Sequence, residues 1–299
     1  MELITIERAG GPLDDSAYER LERGNILFFP KAPFEWSEED YRFLTAQRQT
    51  GGGYHKNIAY RPADSRLTGV AAGTDRETLR RILKMLSDQS ERILARLLPR
   101  YAARWRLDYA SFRPFEEENR GLSLHARNDL LHFDAFPTRP THGDRIMRFF
   151  VNLNPEQSRV WITGESFETL MARFAGDAGL PGMVKRPASP LTTVLARLAA
   201  GAGFGQFARS PYDSMMHRLH NFLKENTKFQ AESVKETWEF PPLSSWIVYT
   251  DIVSHAVLSG RLAFEQTFII ARQSMLRPEF APASVLERIV GAPVTGGPF

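Results

Sequence analysis

Hydrophobic and polar positions change period several times along this chain, and each change predicts an element. Phe149, Val151 and Leu153 alternate with Arg148, Phe150 and Asn152, the period of two that predicts a half-buried strand over Ile146 to Leu153. Short apolar or alternating runs predict further strands at Gly24 to Pro30, Trp105 to Pro114, Gly121 to Phe136, Ser245 to Tyr249 and Leu262 to Ile270. From Thr74 to about Leu98 the period becomes helical: Leu79, Ile82, Leu83, Leu86, Ile93, Leu94 and Leu97 form one stripe. Thr74 with Glu77 supplies a capping box and Pro99 a stop. Ser37 followed by Glu38, Glu39 and Asp40 marks a second helix start.

Residues from about Pro155 to Glu239 differ in character. Ser189-Pro190 and Ser210-Pro211 each place a capping side chain before a proline suited to the first helical position. Leu191, Val194, Leu195 and Leu198, then Met215, Met216, Leu219, Phe222 and Leu223, follow at helical spacing, with Gly201 to Gly205 as a link. The expectation is a helical insertion between two halves of a β-structure. The tail from Pro278, rich in Pro, Gly and Ala, is expected to end loosely. Gly51-Gly52-Gly53 is a break and no phosphate loop, because no strand leads into it and no Gly-Lys-Ser/Thr follows. The polar cluster Tyr54, His55, Lys56 and Asn57 after it has the character of a solvated loop.

Composition narrows the chemistry. The 299 residues can bury a full core, and 42% apolar with 24% charged residues is ordinary for a globular protein. There is no cysteine, so disulfides, Cys-ligated zinc and iron–sulfur clusters are excluded and any metal must be held by His, Asp or Glu. No apolar stretch is long enough to span a bilayer, and the N-terminus lacks a basic start followed by an apolar run, which makes a cytoplasmic protein the expectation. Of the 38 basic residues 31 are arginine, the side chain that grips carboxylates and phosphates bidentately. A net charge of +3, scattered along the chain, gives no argument for nucleic acid.

In an extended Leu130 to Phe136, His132 and Asp134 project from the same face. An imidazole and a carboxylate so placed lack one more imidazole to form the 2-His-1-carboxylate triad that holds Fe(II) and leaves positions open for substrate and O2. His255, on a distant apolar run, is the best third ligand. His142 and Asp144 repeat the triplet inside a Pro- and Gly-containing turn, which lets the side chains diverge. His217 and His220 are three apart on a helix, where they are expected to face solvent. Strands flanking such a ligand set fit an α+β protein with a double-stranded β-helix (jelly-roll) core, scaffold helices and the helical insertion of about 155–239, all within one domain spanning 1–299. A 2-oxoglutarate-dependent oxygenase also needs a cation for the cosubstrate's far carboxylate. Arg261, six residues after His255, is placed for it, with Arg148 or Arg272 as alternatives.

The strings Leu131 to Pro140, Phe149 to Pro155, and Phe240 to Pro242 continuing through His255 and Arg261 to Phe268, resemble the Kdo hydroxylase family. Kdo is 3-deoxy-D-manno-oct-2-ulosonic acid, the inner-core sugar of lipopolysaccharide. The resemblance covers most of the chain and is weakest in the first 20 or so residues and the tail. It implies an Fe(II)/2-oxoglutarate dioxygenase that uses O2 to hydroxylate C3 of Kdo on lipid A precursors. It carries over His132, Asp134 and His255 as iron ligands and Arg261 as the 2-oxoglutarate anchor, although His255 and Arg261 are closer in sequence than in many oxygenases. An anionic glycolipid suits Arg113, Arg120, Arg127 and Arg139, and also Arg145, which crowd the segment around His132. Lys185, Arg186, Arg209, Arg218 and Lys224, with Phe204, Phe207 and Met215, would let the insertion lie on an anionic membrane, giving a cytoplasmic enzyme peripheral to the inner membrane. No feature points to an obligate protein partner. The rival readings are a zinc hydrolase on the same three ligands and a non-catalytic sugar- or lipid-binding jelly roll.

Overall fold

The computed structural model describes residues 1–7, 10–48, 57–116, 122–184 and 209–296. Strands β1 (Leu3–Thr5), β2 (Ile26–Phe29), β3 (Ile58–Arg61), β4 (Arg66–Thr68), β5 (Trp105–Arg113), β6 (Arg145–Asn152), β9 (Ser245–Tyr249) and β11 (Ala263–Ile270) build one sheet in the order β1-β2-β9-β6-β11-β5-β3-β4. Strands β7 (Arg159–Ser166), β8 (Glu236–Phe240) and β10 (Val253–Ser259) form a smaller sheet in the order β10-β7-β8. Apart from the β1–β2 pair, every ladder is antiparallel. The protein is thus a mixed α+β structure dominated by large sheets.

The sheets face each other across an aromatic interior. Trp161 of β7 lies edge-on to Phe150 of β6 and Trp246 of β9, with ring centroids 4.7 and 5.6 Å apart. Phe240 of β8 stacks on Trp246 at 3.8 Å. β11 is buried at every position because β5 and β6 flank it and both faces are covered. Behind the large sheet runs the helix Arg76–Leu97, whose Leu79, Ile82, Leu83 and Leu86 pack on Phe112, Val151 and Phe264. Its stripe is as the period predicts, but its cap is Asp75 and not Thr74: the Asp75 carboxylate accepts from Glu77 N and Thr78 N.

The supposed helical insertion contains strands at both ends. β7 and β8 pair with each other, and the helices Phe167–Phe174, Leu180–Met183, Pro211–Glu225 and Thr227–Glu232 lie between them in sequence. Ser210 caps the Pro211–Glu225 helix through a full capping box with Asp213. The expected helix after Ser189-Pro190, the Gly201–Gly205 link, the Gly51–Gly53 break and residues Tyr54 to Lys56 lie outside the described residues. The tail is not loose: Pro282–Val290 is a helix that buries Val285 and Leu286 in the main core. Arg145 proves structural. Its guanidinium and the Asp251 carboxylate are fully buried against each other, under the Tyr249 ring, and Asp251 also accepts from Ile146 N.

Candidate functional site

The segment from Asn128 to Asp134 runs along the free edge of β10. His132 and His255 exchange both backbone hydrogen bonds, at 3.1 and 3.0 Å, while Asp134 N donates to Thr250 O and Val257 N to Asn128 O. The expected continuous strand over Gly121 to Phe136 is only this short edge, preceded by a 3-10 turn at Leu124–Ala126. Alternation then does the sorting. Leu131 and Phe133 point into the core and are fully buried, whereas His132 and Asp134 share the opposite face with His255. Gly164 of β7 leaves the room: a Cβ there would lie 2.9 Å from Ser254 Oγ and 3.1 Å from Leu131.

The three sequence-predicted ligands therefore meet. One donor atom from each of His132, Asp134 and His255 lies within 4.8 Å of the others, and all three residues are buried. The imidazoles are oriented from behind. His132 Nδ1 donates to Leu130 O at 2.7 Å and His255 Nδ1 donates to Val253 O at 2.8 Å, which leaves both Nε2 lone pairs available. Burial depresses both imidazole pKa values, that of His132 far below the ordinary range, so both are neutral ligands at neutral pH. Burial alone would raise the pKa of Asp134, but Arg148, 3.0 Å away, brings it below the usual carboxylate value. Two neutral imidazoles and one carboxylate are the donor set for Fe(II) with open positions.

Behind the carboxylate lies a chain of charges. Arg148 bridges Asp134 and Glu265, 3.2 Å from the latter, and Arg113 reaches Glu265 from the other neighbouring strand with contacts of 3.2 and 3.0 Å. Burial opposes ionisation of Glu265, yet Arg113 and Arg148 hold its pKa below the ordinary range. Arg148 Nε is buried without a hydrogen-bond partner among the described residues, so the interior retains one donor for a further group.

The other candidates separate. Among the described residues Arg261 makes no hydrogen bond or ion pair with this cluster. It sits in the β10–β11 turn, between Gly260 at φ +104° and Leu262 at φ +60°, at the opposite end of β10 from His255, roughly 20 Å along an extended chain of six residues. Arg272 is engaged by Glu287 at 3.2 Å. Arg148 alone of the three anchor candidates adjoins the triad. Arg113, expected to face substrate, is buried against Glu265. Arg127 forms a pair with Asp129 at 2.5 Å, and Arg139 pairs with Asp108 while stacking over Tyr109 and Phe136. Arg120 lies outside the described residues. His142 occupies a turn at φ +56°, half-exposed, away from the triad.

Sequence reasoning missed His220 and Glu265. His220 does not face solvent: its ring lies 5.0 Å from that of His132, and its Nδ1 donates to Phe133 O at 2.7 Å. Burial and Lys224 push its pKa down to about 4. Its i, i+3 partner His217 suggested a metal pair, and that pairing hid the signal.

Comparison with known proteins follows the same lines. A family model described as 3-deoxy-D-manno-oct-2-ulosonic acid (Kdo) hydroxylase matches residues 10–293. The solved apo structure of the Kdo hydroxylase KdoO, a non-haem Fe(II) α-ketoglutarate-dependent dioxygenase, is 32% identical with a TM-score of 0.84, over 99% of this chain and 98% of that one. KdoO in complex with α-ketoglutarate and Fe(III) is similar at 32% identity and a TM-score of 0.83, over 98% and 97% of the two chains. The cobalt(II) complex of KdoO gives 32% identity and 0.84, with the same coverage. No curated protein sequence matches.

Proposed function

This chain belongs to the Kdo hydroxylase family of Fe(II)- and 2-oxoglutarate-dependent dioxygenases, and we propose that it hydroxylates C3 of Kdo in Kdo-lipid A, giving the 3-hydroxy sugar Ko. The observation that carries this reading is the buried His132–Asp134–His255 cluster beside Arg148. These three residues would hold Fe(II), and the facing sheets would be the two walls of a double-stranded β-helix within one domain. Bound iron with 2-oxoglutarate and O2 supplies the oxidation of an unactivated C–H bond. The chain's own residues orient and exclude water. Leu130 O and Val253 O fix the imidazoles, Arg148 keeps Asp134 ionised, and Trp161, stacked 5.2 Å from the His255 ring, walls that imidazole with apolar surface.

Arg148 is the proposed partner of the 2-oxoglutarate far carboxylate, because it alone among the sequence candidates reaches the cluster. Arg127 and Arg139 are the proposed contacts to the anionic glycolipid. The comparisons support neither a zinc hydrolase nor a non-catalytic binding module. Mass spectrometry of Kdo-lipid A incubated with protein, Fe(II), 2-oxoglutarate and O2 should show one added oxygen on the Kdo residue, with succinate formed in step. Succinate without a modified Kdo would overturn the substrate and leave the enzyme class standing.

The substrate is a lipid, and no helix among the described residues is long and apolar enough to cross a membrane, so the proposal includes docking on an anionic surface from the cytoplasmic side of the inner membrane. The described part of the insertion contributes less to it than its composition promised. Met215 is fully buried, and Arg209, Arg218 and Lys224 donate to the carbonyls of Pro137, Ala178, and His125 with Arg127. Lys185, Arg186, Phe204 and Phe207 lie outside the described residues. Flotation with vesicles rich in anionic lipid should recover part of the protein at low salt and release it at high salt. Absence of binding at low salt would remove the membrane from the account.

A further inference from the structure

Among the described residues, the segment that carries two of the three proposed ligands has a strand partner on one edge only. Even-numbered residues bond to β10 and its approach: Asn128, His132 and Asp134. The odd-numbered backbone groups point the other way, where a further strand would stand. No strand is there. Side chains from two helices take its place. Lys224 Nζ donates to His125 O at 3.0 Å and to Arg127 O at 2.6 Å. Gln230 closes a two-bond ring on Leu131, accepting from Leu131 N and donating to Leu131 O, both at 2.9 Å. His220 donates to Phe133 O at 2.7 Å. The contacts at 131 and 133 keep the alternation a β ladder would use, and those at 125 and 127 hold the 3-10 turn that leads into it.

We propose that His220, Lys224 and Gln230 are positioning residues for the metal centre: a side-chain ladder that replaces the missing strand and fixes the register of His132 and Asp134. The inference rests on the metal-site reading above. Its physical basis is the economy of the ligand segment. Residues Asn128 to Asp134 hold a single bridge to β10, and a segment bonded on one edge can slip or twist, which moves His132 and Asp134 together. Gln230 forbids slippage because its amide matches one residue's N–H and C=O at once, and it is itself anchored by Leu223 O at 2.8 Å. His220 forbids twisting, since it holds the peptide between the two ligands while its ring lies against His132. The helical segment between β7 and β8 thereby acts on the chemistry without contributing a ligand.

The test uses Co(II) binding by the full-length protein, read from its d–d absorption, with the melting temperature of the metal-free protein measured in parallel. Gln230→Met keeps the length and removes both hydrogen bonds; Gln230→Glu keeps the acceptor alone and is the gentler variant. His220→Leu removes the donor, whereas His220→Asn places an amide N–H where Nδ1 stood. Loss of an outer-shell partner typically weakens metal binding by about 10–100-fold. Gln230→Met and His220→Leu should weaken Co(II) binding within that range and alter its spectrum, with Gln230→Glu intermediate and His220→Asn close to wild type. Unchanged Co(II) affinity and spectrum in folded Gln230→Met and His220→Leu proteins would overturn the ladder, as would His220→Asn binding no better than His220→Leu. If wild-type Co(II) binding is indifferent to His255→Ala, the metal site itself fails and the ladder with it.

Discussion

Replacing Asp134 by alanine should abolish 2-oxoglutarate turnover and weaken Co(II) or Fe(II) binding by more than about a hundredfold, beyond the range expected for outer-shell partners. The carboxylate is the sole anion of the His132–Asp134–His255 cluster, and two neutral imidazoles alone hold a divalent ion poorly in a buried site. The fold should survive. Asp134 contributes no core packing, and Arg148 keeps Glu265 at 3.2 Å, but the buried set is left with one positive charge in excess, so the melting temperature should fall while the protein still folds. Calorimetric titration with Co(II), succinate release and a thermal melt separate these claims. His142→Ala is the matched control and should leave metal binding and succinate release unchanged, because His142 lies half-exposed in a turn where its ring pairs with Asp213 and not with the cluster. Wild-type metal affinity in Asp134→Ala would discard the ligand assignment.

Much of this site was legible in the sequence because its ligands sit in strand-like runs. Alternation alone put His132 and Asp134 on one face, and the apolar run around His255 marked a second buried strand. Period also found β5, β6, β9, β11 and the helix Arg76–Leu97. What escaped depends on partners distant in sequence. β8 is a mostly exposed, polar strand with little hydrophobic signal of its own, and β7, which pairs with it, was absorbed into the helical reading of its surroundings. The helix Pro282–Val290 does carry helically spaced Val285, Leu286 and Ile289, but the Pro, Gly and Ala around it outweighed them. The position of Arg261 turned on the β10–β11 connection, where Gly260 accepts φ +104° and a Cβ would lie 2.8 Å from Arg159 Cα. That turn reverses the chain before Arg261 can follow His255 along a strand. The Arg113–Glu265–Arg148 chain exists because β11 lies between β5 and β6, an order no local pattern encodes.

That same order is why the second large effect is expected at Arg148. Asp134, Glu265, Arg113 and Arg148 form two anions and two cations in the buried interior beside the large sheet. The set is neutral by itself, so a divalent ion bound by Asp134 leaves the neighbourhood positive, and a dianionic cosubstrate restores the balance. Arg148 is placed to receive it, with Nε buried and without a hydrogen-bond partner among the described residues. Losing a buried charge-assisted contact of this kind costs about 2–5 kcal/mol. Arg148→Ala should therefore raise the 2-oxoglutarate dissociation constant of the Co(II)-loaded protein by on the order of a hundredfold. Arg148→Lys should fall between, since an ammonium supplies charge without the planar fork. Arg261→Ala, at the far turn, should stay within about twofold of wild type, a change small on the scale of 1.4 kcal/mol per tenfold. Isothermal titration of 2-oxoglutarate into each metal-loaded variant reads this directly, and Co(II) affinity is measured beside it because Arg148 also touches Asp134. A 2-oxoglutarate constant that is normal in Arg148→Ala and raised in Arg261→Ala would return the anchor to the turn and leave Arg148 as a partner of Asp134 alone.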